Sequence, residues 1–114
     1  MARVSQATQR IVRAGLSPAL TVPTSDGDVV DCGAVALMVD NASVGAVTVT
    51  VVSTAAQDGL DVADLAVVVP AGGTRLIGPL PHRTFGQPVS SADAGRAYVN
   101  YSTQSGVTRA VISL

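Results

Sequence analysis

The sequence predicts an all-β fold, a single β-sandwich or jelly-roll-like domain of about seven to eight short antiparallel strands behind an extended N-terminal arm. Three observations predict it. Ala46 to Ser53 reads Ala-Val-Thr-Val-Thr-Val-Val-Ser, a period of two, and similar segments recur to the C-terminus between Gly, Pro, Asn or Asp. Apolar residues make up 47% of the chain and aromatics only 3%, with valine the leading residue, whose two Cβ branches suit a strand better than a helix. The length of 114 residues suits one domain with one core.

The elements follow in order. Residues 1–24 read as the arm: Arg3, Arg10 and Arg13 lie among polar residues, and Gly15, Pro18 and Pro23 interrupt any regular pattern. Val4, Ala7 and Ile11 stand near helical spacing, but Gly and Pro limit a helix there to a few turns, so an extended segment is expected. Residues 25–114 read as the sandwich. Ser25-Asp26-Gly27 is a turn, and Val29-Val30 begins a short strand. Gly33 to Val39, Ala46 to Ser53, Asp64 to Val69 and Thr74 to Ile77 read as strands. Two prolines in Gly78-Pro79-Leu80-Pro81 end the last of these. A loop through Phe85, Pro88 and Ser91 leads to Gly95 to Ser102 and Val107 to Leu114, read as a closing hairpin around Gln104-Ser105-Gly106.

Face by face, Val47, Val49 and Val51 oppose Thr48 and Thr50, the pattern of a half-buried strand. Other strands are apolar on both sides: Leu65, Val67 and Val69 oppose Ala66 and Val68, and Ala110, Ile112 and Leu114 oppose Val107 and Val111. Two layers supply one interior, so the surplus is either a subunit interface or ordinary surface valine.

The chain has no Lys, Glu or Trp, one His (His82) and one Cys (Cys32). A net charge of −1 gives no field that draws it to nucleic acid or an anionic membrane, and no specific nucleic-acid partner is expected. Met1 to Leu20 develops no hydrophobic run, so neither a signal peptide nor a membrane segment is predicted, and synthesis in a cytoplasm is expected. Asp26, Asp28 and Asp31 read as a solvated acidic turn, since their spacing does not fit an EF-hand loop. Asp58, Asp61 and Asp64 read as a polar loop. His82 in Pro-Leu-Pro-His-Arg lacks a convergent nucleophile and acid, Gly72-Gly73 lacks the Lys of a phosphate loop, and Cys32 has no second Cys. No catalytic residues, metal site or cofactor are expected, and the protein is not expected to be an enzyme. Asn41-Ala-Ser43 and Asn100-Tyr-Ser102 read as turn and strand, not as glycosylation sites.

A resemblance is carried by four segments in order: Gly33-Ala-Val-Ala-Leu-Met-Val-Asp-Asn41, Val47-Thr-Val-Thr-Val51, Asp64-Leu-Ala-Val-Val-Val-Pro-Ala-Gly-Gly-Thr-Arg-Leu-Ile-Gly-Pro79, and Ala97-Tyr-Val-Asn-Tyr101 before an apolar terminus. Their order and spacing resemble small β-rich structural proteins of tailed bacteriophages, the capsid decoration (cement) and minor head proteins. Leu80 stands where an aromatic often follows Gly-Pro, and Phe85 arrives later. The resemblance implies a virion structural protein on the capsid surface. It would bind the major capsid protein and itself, often as a trimer, and stabilise the head lattice.

Two expectations about the surface follow. Arg3, Arg10 and Arg13 are expected in a capsid-docking arm, and Pro79, Leu80, Pro81, His82, Arg83 and Phe85 in an exposed interface loop. The alternatives are a head–tail connector or tail component, and a carbohydrate-binding or adhesin-like module, which the scarcity of aromatics disfavours.

Overall fold

The computed structural model describes residues 3–88 and 92–113, and the chain is mostly β. Met1, Ser91 and Leu114 lie outside the described residues. In order come β1 (Val4–Ser5), β2 (Thr8–Arg10), β3 (Asp28–Asp31), β4 (Val35–Asn41), β5 (Val47–Val51), β6 (Ala56–Gln57), β7 (Leu60–Asp61), β8 (Leu65–Val69), β9 (Thr74–Ile77), a one-turn helix α1 (His82–Phe85), β10 (Arg96–Tyr101) and β11 (Val107–Ser113). They form a five-stranded sheet, β1-β3-β10-β5-β8, a four-stranded sheet, β2-β11-β4-β9, and the small β6-β7 pair.

The two large sheets share one core, and the period-two pattern sets which side chains enter it. Val47, Val49 and Val51 of β5, Leu37 and Val39 of β4, Val99 of β10 and Val107 and Val111 of β11 are buried in one cluster. Thr48 and Thr50 face outward and are partly exposed.

Three expectations about topology are corrected. The sheets are mixed, not purely antiparallel: β1 runs parallel to β3 and β2 parallel to β11. One N-terminal segment thus splits between the two sheets and covers an edge of each. The strands read as a closing hairpin do not pair with each other, since β10 lies in the five-stranded sheet and β11 in the four-stranded one. The chain crosses at Gly106, which has φ +76° and passes so close to Ser43 that an added Cβ would sit 3.0 Å from that side chain. Finally, Asp28 is not in a solvated turn. It is fully buried, because its position in β3 alternates with Val29 and shares the inward face with Val30.

Candidate functional site

The inward face of β11 alternates Val107, Arg109 and Val111, so the strand carries a guanidinium into the core. Arg109 is 2% exposed and meets Asp28 in a two-pronged ion pair, Nε donating to Oδ2 at 2.5 Å and Nη2 to Oδ1 at 2.8 Å. Tyr101 donates its hydroxyl to Oδ2 of Asp28 at 2.6 Å, and Nη1 of Arg109 donates to the carbonyl of Thr21 at 3.0 Å and to its hydroxyl. The cluster ties β3 and β10 of one sheet to β11 of the other and to the end of the N-terminal segment. No buried side-chain donor or acceptor among the described residues lacks a partner, so the pair is fully compensated.

Burial, and then the neighbouring Asp28 charge, push the Tyr101 phenol far above its ordinary value. A raised folded value means stability that is complete below the unfolded phenol value of about 10 and is lost as pH rises beyond it. Urea unfolding above about pH 10 is therefore expected to show a fall in stability of up to about 1.4 kcal/mol per pH unit from Tyr101, and Tyr101→Phe is expected to remove that share, leaving only the fall from the Cys32 thiol, which burial also pushes up.

The N-terminal segment, expected to be extended, is extended and is tied to the body by polar contacts. Arg3 donates from Nη1 to the Val99 carbonyl at 3.2 Å and lies 4.5 Å over the Tyr98 ring. Arg96 pairs with Asp31 at 3.1 Å and donates to the Ser5 hydroxyl at 2.6 Å and the Gln6 carbonyl at 3.2 Å, while Thr8 donates its hydroxyl to Asp31. Of the three arginines read as a docking set, Arg3 is thus engaged on its own sheet. Arg10 and Arg13 are exposed.

The segment Pro79 to Phe85 divides in the same way. Leu80 is fully buried and exchanges backbone hydrogen bonds with Gly33, and Phe85 is 7% exposed in the core. The expectation that these two face a partner is corrected. In a chain with one Phe, burying that ring on the inner side of α1 gains more than exposing it. Pro79, Pro81, His82 and Arg83 stay exposed around these two anchors, and the Thr54 hydroxyl fastens the end of the turn by donating to the Gly86 carbonyl at 2.7 Å. Asp64 accepts from the Ser53 amide at 2.8 Å, Asp58 is exposed, and Asn41 shapes its turn by donating to the Gly45 and Val69 carbonyls. Among the described residues no three His, Cys, Asp or Glu side chains stand close enough to hold a metal ion, and no helix is long and apolar enough to cross a membrane.

The apolar surplus gathers on the outside of the four-stranded sheet. Pairing of β11 with β4 and of β4 with β9 sets Ile112 beside Ala36 and Met38 beside Leu76. With Ile11 and Pro79 they line an open groove of about 510 Å³. Leu76 is 67% and Ile11 47% exposed. Arg10 immediately precedes Ile11 in the extended segment and shares its parity with Thr8, so it stands on the opposite face of that strand from the groove. No protein-family model, no curated protein and no solved structure matches the chain.

Proposed function

We propose that this protein is a virion structural protein that binds and stabilises the head lattice of a tailed bacteriophage as a decoration protein, with the fold of a β-sandwich. The observation that carries the reading is the apolar groove outside the four-stranded sheet. It is lined from three paired strands and carries no charged side chain in its lining, in a chain whose buried charged groups are spent on internal pairing. The order of the four segments resembling phage head proteins supplies the biological context.

The groove and the exposed Arg13 form the surface offered to the major capsid protein, with the exposed part of the Pro79 to Arg83 segment at its margin. A rigid core pinned by the Asp28–Arg109 pair suits a protein that must hold neighbouring lattice subunits at a fixed spacing. Modest contacts repeated around a closed shell add up to firm reinforcement. The reading is tested by stoichiometry: a lattice-binding protein is present at a copy number comparable to the major capsid protein, and a connector is present in a single ring.

A further inference from the structure

We propose that the outer edge of β8 pairs antiparallel with the same edge of a second copy of this chain, across a twofold axis at Val67. The inference goes beyond the capsid reading and does not depend on it.

Hydrogen-bond direction leaves this edge open. The Val52 amide donates to Tyr98 and the Ser102 amide to Thr48, so the even-numbered residues of β5 face β10. Val47, Val49 and Val51 then face Val69, Val67 and Leu65 of β8. The peptide groups of Ala66 and Val68 point the other way, and among the described residues no backbone group meets them.

Edges of this kind are normally blunted by shortness, charge, proline or a bulge. On the far side of the molecule β1 and β2 have two and three residues, beside Arg3 and Arg10. β9 carries exposed Arg75, and a twofold there would set the two guanidiniums opposite each other. Moving that axis to Leu76 would place Thr74 opposite Gly78, beside Pro79, which has no amide hydrogen to continue a ladder. β8 has none of these devices. It reads Leu-Ala-Val-Val-Val, Ala66 is exposed, and Val68 is 55% exposed.

The occupant follows from the same pattern. An unpaired strand edge is complemented by another strand edge, and β8 has no charged or polar side chain with which to select a foreign one. A second copy matches it. With the axis at Val67, Ala66 and Val68 of each chain exchange hydrogen bonds with Val68 and Ala66 of the other, and valine packs beside alanine on the outer face. Asp64 falls opposite Pro70, which keeps the two carboxylates at opposite ends of the pair. The two five-stranded sheets become one continuous sheet, and the assembly has twofold symmetry in place of the threefold that the resemblance implies.

The test is the mass in solution of the full chain, by analytical ultracentrifugation at about 100 μM, where even a weak interface is populated. The wild type is expected at the mass of two chains and Val68→Lys at the mass of one, with the two urea midpoints equal at protein concentrations low enough to dissociate the dimer. Leu76→Lys, which alters the groove assigned to the capsid, is expected to leave the dimer intact, so failure of one reading is distinguishable from failure of the other. In a Cys32→Ser background, Val67→Cys is expected to form an interchain disulfide on oxidation. Ala66→Cys is not, because the two Ala66 positions are offset beyond the reach of about 7 Å. A monomeric or trimeric wild type, a dimer that survives Val68→Lys, or equal cross-linking by the two cysteine variants would overturn the proposal.

Discussion

Asp28→Asn is expected to destabilise the protein by about 3–5 kcal/mol, a large share of the roughly 5–15 kcal/mol available to a domain of this size. The substitution keeps the shape of the side chain and removes its charge, leaving the Arg109 guanidinium in the core without a counter-ion. The carboxylate accepts two hydrogen bonds from Arg109, one from Tyr101 and a longer one from Gln6, and both charged side chains are shut off from water. The cost therefore comes chiefly from the uncompensated charge left behind. Removing both partners tests that mechanism: Asp28→Leu combined with Arg109→Met is expected to recover much of the loss, because neither charge then has to be desolvated. Asp31→Asn is the control. Its pair with Arg96 has side chains 46% and 26% exposed, and it is expected to cost no more than about 1 kcal/mol. Urea midpoints of the three variants check the ordering.

Phe85→Ala is expected to cost about 3–5 kcal/mol, the usual penalty for emptying a buried aromatic site. The ring lies in the same core cluster as Leu80 and Val99, and it holds down the inner face of α1, a single turn that could not persist unaided. Its loss should also loosen what the turn supports. The Thr54 amide donates to the Thr84 carbonyl at 2.8 Å and the Gly86 amide to the His82 carbonyl at 2.9 Å, and both amides are expected to exchange with solvent faster in the variant. Arg83→Ala, on the exposed side of the same turn, is expected to shift the urea midpoint within about 0.5 kcal/mol. Equal losses from the two variants would contradict the placement of Phe85 as the anchor.

Strand positions were legible wherever side chains alternate without ambiguity. Val47, Val49 and Val51 against Thr48 and Thr50 announce β5, and the turns at Asp26-Gly27 and Pro70 to Gly73 bound their strands correctly because Gly there takes conformations that other residues avoid. Which sheet each strand joins was not legible, since pairing is decided by contacts far apart in sequence. The parallel docking of Val4–Ser5 and Thr8–Arg10 rests on Arg96, Asp31 and Gln6, polar residues with no periodic signature.

Much the same holds for the candidate surface. Arg109 could have been found: it shares parity with Val107 and Val111, and a charged residue on an apolar face of a strand demands a buried partner. The groove could not, because Ala36, Met38, Leu76 and Ile112 come from three strands that become neighbours only after β11, β4 and β9 pair. Phe85 was misread as exposed because its sequence neighbours, Pro81 to Thr84, are polar or proline-rich, and the one-turn helix that rotates the ring inward has no periodicity to detect.

The measurement that bears most directly on the assignment to the head lattice is the copy number of this protein in purified virions, determined against the major capsid protein by quantitative mass spectrometry. A ratio near one per lattice position, hundreds of copies in a particle, is the expected result. About a dozen copies or fewer would contradict lattice binding and indicate a single connector ring. Absence from the particle would contradict a structural role altogether.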